Sequence, residues 1–200
     1  MEYPYIPKNH KIYYVSKDNE FMQEATKILQ KKGCFAHKTS GVLVKDKKII
    51  GRGSNAAIQN DHCPRRDVDR HPEIDYPTEK GFPTGTGYHL CKQHCQQFGH
   101  AEPNTLYNTF KDLGASKGEL QPFAELIDRA YYQNTHIDDI LKKDIHAYFT
   151  EMKEKGYNLT GFDFYHDGHW WMCEPCWTFL IAAGINKAYL RDDSVELYKR

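Results

Sequence analysis

Two short stretches far apart in the chain, Gly99-His100-Ala101-Glu102 and Trp171-Met172-Cys173-Glu174-Pro175-Cys176, constrain the fold more than anything else in it. An imidazole and a C-x-x-C thiol pair are good zinc ligands, and a catalytic zinc keeps three protein ligands and one open position. If His100, Cys173 and Cys176 serve one ion, the fold must carry the intervening residues away and bring both ends back together. Glu102 then places a carboxylate two residues from a ligand, beside the ion without occupying it. Both stretches read as helix starts, where partial positive charge and free N–H groups favour thiolates. Pro175 fits a first helical turn, where its missing N–H costs nothing. A closed structural zinc site or a partial zinc ribbon is the bland alternative for the same residues. The downstream helix at 175–183, the closing Gly184 and the strand at 187–190 favour the open site.

Composition narrows the partners. Lys plus Arg and Asp plus Glu each count 27, so net charge supports neither a duplex-coating surface nor an acidic tail. Only Arg65-Arg66 and Arg70 hint at a basic patch, and nucleic acid is not an expected partner. No apolar run reaches the roughly 20 residues of a membrane span. The opening Met1-Glu2-Tyr3-Pro4 has neither a basic nor an apolar leader region, which predicts a cytoplasmic protein. There the six cysteines (34, 63, 91, 95, 173 and 176) read as thiols and metal ligands rather than disulfides.

Along the chain, residues 1–7 read as an extended arm and 11–15 as a strand. Asp18 is positioned to cap a helix running to about Lys32, with Phe21, Met22, Ala25, Ile28 and Leu29 on one face and Gly33 ending it. Residues 41–44 and 49–51 read as a hairpin. Gly51 and Gly53 give a G-x-G after a strand, but without a third glycine or a helix pattern this is no dinucleotide loop. The stretch 56–99, broken by Pro64, Pro72, Pro77, Pro83, Gly81, Gly85 and Gly87, is long and irregular, which marks it as functional. A helix from His100 to about Leu113 tolerates Pro103 in its first turn. Helical patterns then recur across 123–155, within an insertion spanning about 115–160 that is expected to pack outside the core. A strand at 162–172 and a short terminal helix or tail at 194–200 complete the reading: one domain over 1–200.

On these residues the chain resembles the cytidine/deoxycytidylate deaminase superfamily, most of all its dCMP deaminase branch. The resemblance covers residues 34–55, His100-Ala101-Glu102-Pro103-Asn104 and residues 173–190, including Ile181-Ala182-Ala183-Gly184-Ile185. It implies a three-layer α/β/α sandwich with a mixed central sheet, His100, Cys173 and Cys176 as zinc ligands, and Glu102 as proton shuttle. It also implies that Asn55 touches the substrate sugar, that the Ala101 N–H meets the pyrimidine carbonyl, and that the protein is a homo-oligomer. The expected reaction is deamination of dCMP to dUMP and ammonia: zinc lowers the pKa of its water to about 7, and the resulting hydroxide attacks the ring carbon. The sequence departs from the family at Met172, where proline is usual, in the length between Glu102 and Cys173, and in stopping soon after Leu190. The strand at 11–15 is a candidate to fill the resulting sheet edge. The alternatives are a deaminase acting on a base in single-stranded nucleic acid or tRNA, and a non-catalytic subunit of the same fold, against which the intact Glu102 argues.

Arg65, Arg66 and Arg70 are candidates for a substrate phosphate; surface arginine is the plain alternative. Cys63, Cys91, His94 and Cys95, with His62 and His89 nearby, form a candidate second, structural zinc site that would staple the long loop. Cys34 reads as a core thiol, and His166 and His169 as packing or pocket residues.

Overall fold

The computed structural model describes residues 5–56, 58, 60–83, 86–132 and 137–199. The first four residues of the expected N-terminal arm, and Gly85 of the long loop, lie outside them. Five strands make one mixed sheet in the order β1-β5-β4-β2-β3: β1 (Lys11–Val15), β2 (Ser40–Lys45), β3 (Lys48–Ser54), β4 (Asp163–Asp167) and β5 (Lys187–Arg191). β1 and β4 run parallel to β5, whereas β2 runs antiparallel to both β4 and β3. Helices cover both faces, so the fold is the expected α/β/α sandwich. The strand at 11–15 occupies one edge as anticipated.

Side-chain alternation decides what each face holds. Val42, Val44 and Tyr165 turn toward helix α1 (Glu20–Lys31) and pack with its Met22 and Ala25. Tyrosines at matched register cross three strands on this face. Tyr13 stacks on Tyr189 at 5.3 Å and Tyr189 on Tyr165 at 4.5 Å, each pair contributing about 0.5–1.5 kcal/mol beyond simple burial. α1 starts one residue later than the sequence suggests: Asn19, not Asp18, is its cap, accepting from the N–H groups of Phe21 and Met22 at 3.1 Å. Both residue types make good caps.

The opposite face holds Leu43, Phe164 and Ala188 against helices α3 (Ala101–Asp112) and α6 (Glu174–Ala182). The stretch expected to pack outside this core instead completes it. Helices α4 (Lys117–Tyr131) and α5 (Asp139–Glu154) bury Phe123, Ile127, Ile145 and Phe149 fully or nearly so. Phe123 lies 5.6 Å from Phe179 and 6.1 Å from Phe110. Its apolar residues recur at helical spacing, but periodicity alone does not say which surface they meet. α4 begins with a full capping box, Ser116 and Glu119.

The long loop is less irregular than its composition suggests. It contains a 3₁₀ turn at Val68–Arg70 and an eight-residue helix, α2 (Tyr88–Cys95). α2 starts after Gly87 and ends at Gln96, both left-handed, with no side-chain cap at its start, so the usual start signals are missing. A last short helix, α7 (Ser194–Tyr198), follows β5.

Three glycines set how closely α3 lies on the hairpin. A β-carbon on Gly53 would sit 2.5 Å from the Thr105 backbone nitrogen, one on Gly51 would sit 1.7 Å from Thr109 Oγ1, and one on Gly41 would sit 2.6 Å from Thr105 Oγ1. The G-x-G is therefore the seat of a helix. Gly53→Ala must push α3 outward and is expected to cost about 1–3 kcal/mol. Gly118→Ala, whose new methyl meets nothing within 4 Å, should leave stability unchanged or raise it by up to ~1 kcal/mol. Urea unfolding of both variants checks this; indistinguishable midpoints would show that Gly53 does not hold α3 in place.

Candidate metal centre

The N-termini of α3 and α6 meet at one point. His100 and Cys173 are the N-cap residues of the two helices, in nearly the same extended conformation (φ −74°, ψ 171° and φ −74°, ψ 162°). Neither side chain caps its own helix, so both are turned to other use, at a cost in helix stability of about 1 kcal/mol each relative to a capping Ser or Asp. Cys176 sits one turn into α6 and is fully buried. Cys173 Sγ lies 3.1 Å from Cys176 Sγ; His100 Nδ1 lies 3.5 Å from the first sulfur and 3.4 Å from the second. Zinc bonds of about 2.3 Å to sulfur and 2.0–2.1 Å to nitrogen would set tetrahedral edges of roughly 3.6–3.8 Å. An outward shift of a few tenths of an ångström seats such an ion, and the donor set, two sulfurs and an imidazole, suits zinc. These three residues could hold a metal ion, and among the described residues no other group of three His, Cys, Asp or Glu side chains comes together in this way.

The electrostatics agree with that fit. Burial pushes both thiols up. For Cys173 the hydrogen bond with Cys176 and the neighbouring His100 outweigh burial and bring it well below the ordinary thiol range. For Cys176 burial and the adjacent sulfur act together, and it keeps its proton. Burial would discharge His100, but Cys173 beside it holds its pKa above the usual value. A dication arriving among these groups replaces protons that the site already holds in tension.

Glu102, the second residue of α3, is 3% exposed. Burial drives its carboxyl up, yet the charges of His166 and His100 and a backbone N–H bring it below the ordinary value, so it stays ionised inside the protein. His166 reads from sequence as a packing or pocket residue. It lies on β4, stacked beside Phe164 at 6.1 Å on the face that α3 covers, 2% exposed and with Nδ1 lacking a partner. Two tyrosines carrying no motif also border the site. Tyr131, the last residue of α4, has its ring 4.5 Å from the His100 ring and its hydroxyl 3.2 Å from Cys176 Sγ. Tyr88, at the start of α2, meets His100 edge-on at 6.2 Å.

The remaining candidates are placed unevenly. Ala101 is fully buried at the first turn of α3, where a backbone N–H has no partner within the helix. Asn55 spends its side chain on the loop at 34–39, accepting from the N–H groups of Cys34 and Thr39 and donating to the His37 carbonyl. Arg65 is buried, its guanidinium 4.4 Å from the centre of the Tyr88 ring; Nη2 donates to the Pro83 carbonyl while Nε has no partner. Arg66 is exposed, and Arg70 is engaged by Asp61 and Asp67. The second zinc site is not formed. Cys63, Cys91, His94 and Cys95 do not converge within coordination reach. Cys95 instead joins Cys34 and Ala56 in a small apolar cluster, and burial pushes the Cys91 thiol up to about 12. His94 packs on His71, which in turn meets His62 Nε2 at 3.0 Å. His94 thus turns away from Cys91 and Cys95, which lie one helical turn apart on α2 with Cys34 and Cys63 near both.

No family model matches the chain, and no curated protein matches it. Among solved structures it is similar to the crystal structure of dCMP deaminase from the cyanophage S-TIM5 in apo form, with 14% identity over 90% of this chain and 86% of that one and a TM-score of 0.37. A likeness so distant carries no argument about the site, which rests on its own geometry.

Two outcomes follow from that geometry. Purified protein should hold about one zinc per chain, lost in Cys176→Ser and His100→Ala and kept in Cys91→Ser; elemental analysis reads this directly, and loss in Cys91→Ser would restore the loop site. The second concerns His169, whose Nδ1 accepts from the N–H groups of Trp170 and Trp171. Burial brings it down to about 4, below its unfolded value of about 6.5. The unfolded chain therefore takes up the proton first, and stability falls as pH drops from about 6.5 to 4. Partly exposed as it is, His169 should account for on the order of 1–2 kcal/mol of that loss, absent from the unfolding curves of His169→Gln.

Proposed function

We propose that the chain is a zinc-dependent deaminase of the cytidine/deoxycytidylate type, converting a cytosine nucleotide, dCMP foremost, and water to the uracil nucleotide and ammonia. The observation that carries this reading is Glu102: an ionised carboxylate buried two residues from the imidazole of a three-ligand site, outside the ligand set itself. His100, Cys173 and Cys176 would hold the zinc, which would supply Lewis acidity that lowers the pKa of water. Glu102 is placed to take a proton from water, pass it to the ring nitrogen beside the reacting carbon, and deliver a second proton to the departing amine. The Ala101 N–H, at the positive end of α3, suits the carbonyl oxygen of the pyrimidine ring.

Arg65 supports a charged substrate over a nucleoside or free base. A buried guanidinium with one unpartnered nitrogen is costly to keep, and an arriving phosphate would satisfy it. Its stacking on Tyr88, itself edge-on to His100, links it to the metal site.

Ammonia release measured on dCMP, CMP, dCTP, deoxycytidine, cytosine, guanine and single-stranded DNA tests the reading. Turnover should be highest with dCMP and should fall by about 10²–10⁴ in Glu102→Gln with zinc content intact. Arg65→Gln should raise KM for dCMP more than it lowers kcat. Turnover of free base or oligonucleotide but not dCMP overturns the substrate, and full activity in Glu102→Gln overturns the proton shuttle.

A further inference from the structure

We propose that the Tyr131 hydroxyl is a positioning group for the metal: it donates a hydrogen bond to the Cys176 thiolate and thereby sets how much charge that sulfur gives the ion. The inference rests on the three-ligand metal reading and goes beyond it, because it assigns a role to a helix that contributes no ligand.

The placement is specific. Tyr131 closes α4, and its ring is held between the His100 imidazole, at 4.5 Å, and the Phe179 ring, stacked at 6.3 Å with 12° between planes. Phe179 lies one turn beyond Cys176 on α6. The hydroxyl, 3.2 Å from Cys176 Sγ, is thus fixed by two rings belonging to the same helices that carry the ligands. Direction follows from chemistry. A cysteine bound to a metal is a thiolate with no proton to offer, whereas a phenol keeps its proton near neutral pH. Tyr131 must then be the donor.

The consequence is asymmetric. Cys173 makes no capping bond to the α6 N–H groups, and among the described residues its sulfur meets His100 and Cys176. Among them an O–H is aimed at Cys176 and not at Cys173. A hydrogen bond to a ligating atom draws electron density from it, and groups behind the ligands tune metals in this way. Less charge donated by Cys176 leaves the ion a stronger Lewis acid, which favours ionisation of water at its open position. The same contact fixes the Cys176 rotamer. Tyr131 touches neither the reacting carbon nor the transferred protons in this account.

Cobalt(II) in place of zinc reports on the sulfur directly, through the near-ultraviolet thiolate-to-cobalt charge-transfer band. Wild-type protein should show the band. Tyr131→Phe, which keeps the ring, should bind the same amount of cobalt with the band moved to longer wavelength, because an unbonded thiolate gives up its electron more easily. Its zinc form should turn over dCMP about tenfold more slowly. Tyr132→Phe, which removes a hydroxyl directed at the Gln97 carbonyl, should leave the band where it is. Site-specific 3-fluorotyrosine at position 131, a stronger donor, should move the band to shorter wavelength, and it decides the matter if Tyr131→Phe fails to fold. A band at the wild-type position in both 131 variants overturns the role of Tyr131 while leaving the metal site standing. Wild-type protein without the band overturns the metal site itself.

Discussion

The close approach of α3 to the β2–β3 hairpin is the constraint on which the site depends. Gly41, Gly51 and Gly53 remove the side chains that would hold the helix away, and Thr105 and Thr109 occupy the space. Helix position along the sheet is thereby set by backbone contact rather than by flexible side chains. His100 and Glu102, at the first turn of α3, inherit that precision. α6 packs on the same sheet face and brings Cys173 and Cys176 to the same depth. A metal site needs its ligands placed within a few tenths of an ångström, and two helices seated on one sheet provide this without a dedicated loop.

Charge placement around the centre departs from ordinary core design. Glu102, His166 and Arg65 are all more than nine-tenths buried. Two of them, His166 through Nδ1 and Arg65 through Nε, carry polar atoms with no partner. Buried polar groups are almost always satisfied, so this concentration marks a region prepared for something the chain itself does not provide. It also explains why Glu102 remains charged: the site surrounds it with histidines rather than with hydrocarbon.

Much of this could be read from the sequence, and the limits have physical causes. The C-x-x-C pair and H-x-E triplet announced their partners because zinc accepts few ligand types and spacings. Strands β1, β2 and β5 and helices α1, α3 and α6 declared themselves by alternation and helical period. What escaped was decided by contacts between distant segments. Nothing at Asp18-Asn19 says which of two competent caps will be used. Cys91, His94 and Cys95 share the residue types of a metal site, but the helix that carries them, which lacks start signals, turns His94 away from the two cysteines. Tyr131 carries no motif at all, since a phenol reaching a sulfur from another helix leaves no trace in local spacing. The G-x-G at 51–53 carries no signal in its spacing for the helix it seats, and its purpose is visible only with α3 against it.

Because α4 ends at the ligands, residues 115–160 are not a detachable ornament on a smaller parent fold. Excising them to recover a minimal sandwich would strip the aromatic wall from behind an imidazole and a sulfur and open that side of the centre to solvent. Any shorter chain built on the same plan would need another ring at that spot.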